Sequence, residues 1–223
     1  MNTFASSAEH LNTAVAGVLA RMTTGLLATM ACAAVLSGLG LVPVLFAGLF
    51  GYVLVFLPLV MSLYLAWRGD NMDIPQLRAW FFGFAAAMGV SLSLLFHVYT
   101  SASIVQALVC TTVSFGAVAG WGYFTKRSLE GLGPWLIAGV IGLIVASLLN
   151  IFFASSVFQL VINVLTVVIF LALTAYDMNR IRDEFWLVDH DSVERLQWFG
   201  ALSLYINYIN IFAALLQLTG DRE

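Results

Sequence analysis

What this chain lacks is charge. Asp, Glu, Lys and Arg together make up 9% of its 223 residues, while 61% are hydrophobic and mean hydropathy is +0.97. A soluble domain carries roughly 25% charged and about 45 to 50% apolar residues, so the composition implies a polytopic membrane protein. The formal net charge of -3 is too small to imply a nucleic-acid partner, and no basic patch with interleaved aromatics is present. Cysteine is nearly absent too. Cys32 and Cys110 each lie inside an apolar run with no Cys or His at ligand spacing, which points away from a disulfide or a zinc site. No phosphate-binding glycine motif, metal-ligand cluster or Ser/His/Asp arrangement stands out, so neither cofactor nor metal is expected. Pro/Ser-rich linkers and low-complexity tracts are missing, and residues 1–223 read as one compact helical domain.

Long apolar runs are what the chain does have. Windows of about 20 residues, the length that crosses the hydrocarbon core, give seven spans. They run from Gly17 to Gly40, Val42 to Trp67, Leu77 to Tyr99, Ile104 to Phe124, Pro134 to Ala154, Phe158 to Asn179 and Leu196 to Leu218. The runs are continuous blocks without period-two alternation, which argues for helices and against a β-barrel. The first turn rests on Gly40 and Pro43 as breakers within a nearly unbroken stretch. Residues 1–16 read as a short polar tail, with no early basic residues of the kind a signal peptide carries. In a seven-span reading Arg21, Arg68, Arg78, Lys126, Arg127, Arg180, Arg182 and Arg195 share one side, and Arg222 is on the other. The positive-inside rule then places the N-terminus in the cytoplasm and the C-terminus outside. The short tails and absent targeting signal suit a bacterial inner (plasma) membrane. Trp67, Trp121, Trp135 and Trp198 near span ends read as an interfacial belt, and Gly116-Ala-Val-Ala-Gly120 reads as a close helix approach or, failing that, a dimer face.

Polar residues inside the spans carry more information. In the sixth span Gln159, Asn163, Thr166, Thr174 and Asp177 recur at spacings near three and four and share a face; Ser203, Asn207, Asn210 and Gln217 do the same in the seventh. The fifth adds Ser147 and Asn150. Three such stripes should face one another, either as hydrogen-bonded glue between helices or as the wall of a water-accessible path. Asp177 favours the path, because a carboxylate at mid-bilayer costs roughly 2.5 to 3.5 kcal/mol on the insertion scale and is an expensive adhesive. The alternative is a structural ion pair with Arg180 or Arg68 near the membrane surface. Between the last two spans, Asp183, Glu184, Asp189, His190, Asp191 and Glu194 form an acidic loop without calcium-loop spacing, read as a solvated turn that could concentrate cations at a pore mouth. His97 reads as an interfacial polar residue, and His10 has no site partner in the sequence.

Tyr176-Asp177-Met-Asn-Arg-Ile-Arg, followed by Ala201-Leu-Ser-Leu-Tyr-Ile-Asn207-Tyr-Ile-Asn210-Ile-Phe212, resembles the Bax inhibitor-1 family, also called the transmembrane BAX inhibitor motif family. Tyr123-Phe-Thr-Lys-Arg-Ser-Leu-Glu-Gly-Leu-Gly133 and Asn150-Ile-Phe add to the resemblance, which is clearest from Leu77 onward. It implies an all-α membrane fold of seven helices, six surrounding a central one, and a pH-sensitive calcium leak. It further implies a cytosolic gate made by two acids that share a proton, with an arginine of the second helix beside them. Asp177 matches the first acid and Arg68 is the nearest match to the arginine. The second acid is Asn207 here, a departure from the pattern. Two carboxylates at hydrogen-bond distance titrate as a coupled pair, whereas an Asp facing an Asn titrates once, so the pH switch should be weakened or displaced.

The expected function is a leak for calcium or other cations, gated near Asp177 and lined by Asn207, Arg68, Asn210, Ser203 and Thr174. The competing expectation is a non-transporting regulator in the bilayer that binds a quality-control protease or another membrane protein. An enzyme is not expected, since intramembrane aspartyl proteolysis needs two carboxylates and the spans hold only Asp177.

Overall fold

The computed structural model describes residues 3–189 and 192–222. Eight α-helices follow one another: α1 Thr3–Gly38, α2 Val42–Leu45, α3 Gly48–Arg68, α4 Ile74–Val98, α5 Ser101–Phe124, α6 Gly133–Phe153, α7 Ser156–Glu184 and α8 Val193–Thr219. All except the one-turn α2 are long and apolar enough to cross a membrane. The only pairing of β type among the described residues is an isolated bridge between Tyr99 and Arg222. The seven spans of the sequence are thus present, with ends a few residues from those expected.

Local chemistry sets the turns. Gly40 (φ 66°) and Gly48 (φ 63°) adopt the left-handed backbone that glycine tolerates, and between them α2 bridges α1 to α3. Thr100 and Ser155 cap α5 and α7 by accepting from the backbone N–H groups of Ser103 and Phe158. At the α6–α7 hairpin, Ala154 takes φ 47° and Asn150 Oδ1 accepts from Ser155 N at 3.1 Å, so the chain reverses in two residues.

Burial is concentrated in α8. Two-thirds of its central window is buried, against a third or less in every other span. α1, α4, α5 and α7 pack on α8, whereas α3 leans on α4 and α6 on α7. Tyr205 of α8 is fully buried, edge-on to Phe81 (5.9 Å between centroids) and Phe84 (5.5 Å) of α4. Its hydroxyl shares a 2.5 Å hydrogen bond with Thr29 of α1, and Thr29 in turn donates to the Ala85 carbonyl of α4. On another side of α8, the Tyr208 hydroxyl meets Thr112 of α5 at 2.8 Å.

One end of the bundle gathers the basic residues. Arg195 donates to the Gly69 and Asp70 carbonyls, Arg182 to those of Tyr123 and Thr125, and Arg21 lies 3.6 Å from Glu194. At the opposite end Thr100 N donates to Asp221 O, Asp221 N donates to Ser103 Oγ, and Arg222 lies over Tyr99.

Three expectations change. The polar stretch read as a tail is helical from Thr3, because Leu11, Ala14, Val15, Val18 and Met22 recur at spacings of three and four and bury a face. Trp67, Trp121 and Trp135 are exposed as a belt requires, but Trp198 is core, packed against Phe81 with Arg21 over its ring. Gly116 and Gly120 make no close helix approach. A Cβ on either would meet nothing within 4 Å, since both face an apolar groove of about 750 Å³ between α1 and α5. The close approach occurs two residues after Gly120, on another face: a Cβ on Gly122 would overlap the backbone of Ala175 in α7. Gly122→Ala should therefore destabilise the fold by about 1–3 kcal/mol, while Gly116→Ala should be neutral or mildly stabilising. Reversible unfolding in mixed micelles checks the pair, and equal midpoints would refute this packing.

Candidate functional site

Asp177 lies in α7 with 6% of its surface exposed, and Asn207 lies opposite it in α8 with 3%. Asn207 Nδ2 donates to Asp177 Oδ2 at 2.7 Å. The other carboxylate oxygen, Oδ1, faces Arg180 Nη2 at 3.8 Å. A carboxylate at this depth is thus held by one amide donor and one nearby cation, both on helices that pack along each other. Asn207 can donate to the ionised acid or accept from its protonated form, so the contact can survive in both states.

Above this pair, toward the basic end, a cleft of about 690 Å³ opens between α3, α7 and α8. Ser62, Ala66 and Asp70 line it from the α3 side, Arg180 and Glu184 from α7, and Arg195, Ser203 and Ile206 from α8. Ser203 is therefore in the cleft wall, as the stripe on α8 leads one to expect. Thr174, one turn below Asp177, is fully buried and donates to the Phe170 carbonyl, so its hydroxyl is spent within its own helix. Asn210 donates to the Ile206 carbonyl and borders a separate cavity of about 260 Å³ with Ser147, Thr166 and Phe170, open between α3 and α6.

The three polar stripes converge. At the end opposite the cleft, Asn150 of α6 donates to Gln159 Oε1 of α7 at 2.9 Å; Gln159 Nε2 then reaches Asn163 at 2.9 Å and Gln217 of α8 at 3.4 Å. A column of polar groups thus connects the cleft, the Asp177–Asn207 pair, the Ser147, Thr166 and Asn210 cavity and this amide network. Buried Phe170 and Thr174 interrupt it between the Asp177–Asn207 pair and that cavity.

Arg68 does not join the site. Its guanidinium lies 5.4 Å from the Trp67 ring centroid and lines a different depression with Tyr64, Asn71, Gln76 and Trp80. The reason is helix phase: Ser62 and Ala66 face the cleft, and two residues on from Ala66 is about 200° around the helix. Of the two arginines the sequence offered Asp177, the structure brings Arg180. The acidic loop is partly helical and partly structural, since Glu184 ends α7 and Glu194 pairs with Arg21; His190 and Asp191 lie outside the described residues.

Two residues escaped sequence reading. Asn179, 2% exposed, accepts from Leu129 N and donates to the carbonyls of Gly122 and Arg127, fastening the α5–α6 connection to α7. Arg182 donates to the Tyr123 and Thr125 carbonyls at the end of α5 and to Asp183. Both sit where a span was expected to finish, so their polarity looked like an ordinary helix end. Four polar residues in Asn179-Arg180-Ile181-Arg182-Asp183, on a helix that continues unbroken, are the signal that was available.

Comparison with known proteins bears on the whole chain. A family model described as inhibitor of apoptosis-promoting Bax1 matches residues 11–223. An uncharacterized protein of Rickettsia prowazekii is 34% identical over 78% of this chain and 74% of its own length. One of Caulobacter vibrioides is 38% identical over 77% and 69%. The inner membrane protein YbhL of Escherichia coli is 37% identical over 63% of this chain and 61% of its own.

The hydrogen bond between α7 and α8 is measurable as a coupling. In a double-mutant cycle, Asp177→Ala and Asn207→Ala should couple by about 1.5–3 kcal/mol, the range for hydrogen bonds to a charged group. Asp177→Ala and Arg68→Ala should add within about 0.5 kcal/mol, as separated sites do. Unfolding midpoints of the single and double variants check both, and strong coupling to Arg68 would contradict the geometry.

Proposed function

The chain belongs to the Bax inhibitor-1 family, and from that premise we propose that it is a leak path for cations, calcium foremost, gated where Asp177 meets Asn207. The observation that carries this reading is a buried carboxylate whose neighbouring cation, Arg180, lines an open, partly polar cleft. Hydrogen bonds between membrane helices contribute about 0.6 kcal/mol on average, so a neutral pair would hold α7 to α8 without the roughly 2.5 to 3.5 kcal/mol insertion cost of an acid. A carboxylate oxygen is the hard ligand that calcium takes, and Asp70 and Glu184 at the cleft wall raise the local cation concentration. Below the gate, the side chains of Thr166, Asn210, Asn163 and Gln159 supply further oxygens along the column.

The basic end faces the cytoplasm in this proposal, by the positive-inside rule, and the membrane is a bacterial inner membrane, the location given in the name of the relative YbhL. The protein is a conduit and not a catalyst: a lone buried carboxylate lacks the second group that acid–base hydrolysis uses. The second reading, a regulator that binds a membrane protease and conducts nothing, draws on Asn207, which removes the second acid of the family's gate.

Flux of calcium into dye-loaded liposomes distinguishes the two. The wild-type protein should pass calcium above protein-free vesicles, with a rate that depends on pH; Asp177→Asn should make the rate independent of pH. Asn207→Asp should steepen the pH response, because two carboxylates at hydrogen-bond distance titrate as a coupled pair. No flux at any pH removes the leak and leaves the regulator; an unchanged titration in Asn207→Asp means that the two residues do not act together.

A further inference from the structure

Two carboxylates compete for one guanidinium in the wall of the cleft. Arg180 follows Asp177 by three residues and precedes Glu184 by four, with Nη2 3.8 Å from Asp177 Oδ1 and Nε 3.6 Å from Glu184 Oε1. Both separations exceed the roughly 2.7–2.9 Å of a charge-assisted hydrogen bond, and Arg180 Nε is buried without a hydrogen-bond partner. Neighbouring arginines are fastened differently. Arg182 is pinned by two carbonyls and Asp183, and Arg195 by the carbonyls of Gly69 and Asp70. Arg180 is held by these two longer ion pairs and by the Tyr176 ring, 6.0 Å from its guanidinium, next to a buried acid, in a cleft with room to move.

Building on the leak reading above, we propose that Arg180 is a tethered counter-cation of the gate. Its guanidinium occupies the place at Asp177 Oδ1 that a diffusing cation must take, and it shifts toward Glu184 when one arrives. The two oxygens of Asp177 make this assignment specific. Oδ2 is engaged by Asn207, so Oδ1 is the oxygen left for a cation, and Arg180 stands before it. Moving to Glu184 exchanges one carboxylate partner for another, so the arginine charge is never left unpaired. The vacated site offers Asp177 Oδ1 and water to a hard divalent cation, with Asp70 also in the cleft. The other charged group lining the cleft is Arg195, whose guanidinium is already fixed on backbone carbonyls. A charge on a short tether competes at high effective concentration, so in the wild-type protein a free cation should bind weakly.

Manganese(II) binding to the full-length protein in detergent, read by EPR from the loss of the free-ion signal, tests this without any flux. Arg180→Gln should bind manganese at least about tenfold more tightly than wild type, the floor set by removing a unit charge about 4 Å from a divalent ion even at the dielectric of bulk water. Arg180→Lys should stay near wild type, and the gain should vanish in the Arg180→Gln/Asp177→Asn double variant. If Arg180→Gln does not remain monodisperse, Arg180→Met removes the same charge and keeps the apolar stem. Equal affinities in wild type and the neutral variants, or a gain that survives Asp177→Asn, overturn the proposal. If manganese binding responds to Arg180 while vesicles show no flux, the counter-cation stands and the leak fails; flux with binding indifferent to Arg180 gives the reverse.

Discussion

Asn207 Nδ2 to Asp177 Oδ2, 2.7 Å, is the hydrogen bond on which the rest of the arrangement turns. Oδ2 is enclosed between α7 and α8, so its partner comes from the next helix. That requirement fixes the register of α7 against α8 to within a fraction of a turn, because a slip of one residue would rotate the amide by about 100°. The neighbours of Asn207 reinforce the same register from other directions. Tyr205 is tied to α1 through Thr29, and Tyr208 to α5 through Thr112. Rotating α8 away from Asp177 would therefore strain hydroxyl contacts on two further helices.

The same anchoring distributes rigidity unevenly. α7 is held against α5 by the close approach at Gly122 and by the three hydrogen bonds of Asn179. α3 is held more sparingly: Ser91 of α4 donates to its Leu54 carbonyl and Arg195 of α8 to the carbonyls of Gly69 and Asp70 just past its end, but it buries little and contributes small side chains, Ser62 and Ala66, to the cleft. Rigid walls on the α7–α8 side and a lightly held one on the α3 side are what a cleft needs if it is to change width without disturbing the buried pair.

Much of this was readable in the sequence, for reasons that also explain the failures. A bilayer dictates span length, so seven apolar blocks became seven helices with ends close to those expected. Spacings of three and four put Asp177, Asn207, Asn150 and Gln159 on inward faces, and they do meet there. Failures came where the outcome depended on phase or on a partner far along the chain. Arg68 is at the right end of the right helix but a half-turn from the cleft. Gly116 and Gly120 have the spacing of a packing motif, yet Gly122 is where α7 comes close. Residues 1–16 looked like a polar tail because their apolar positions are few, although Leu11, Ala14 and Val15 align on one buried face. Arg180 was one of two candidates, and only the helix that continues past Asn179 decides for it.

Asn207 and Arg180 are best understood together, through charge balance. Two acids facing each other in a low-dielectric bundle must share a proton or suffer repulsion, which ties such a gate to pH. With an amide at 207 the buried site holds one negative charge, and a single arginine beside it nearly neutralises it. In the proposed leak, a shut state would then need no shared proton; a competing cation would disturb it, approaching the oxygen that Asn207 leaves free. On that proposal, an amide in place of an acid shifts control of the gate from proton activity toward cation activity, while keeping the same two helices in contact.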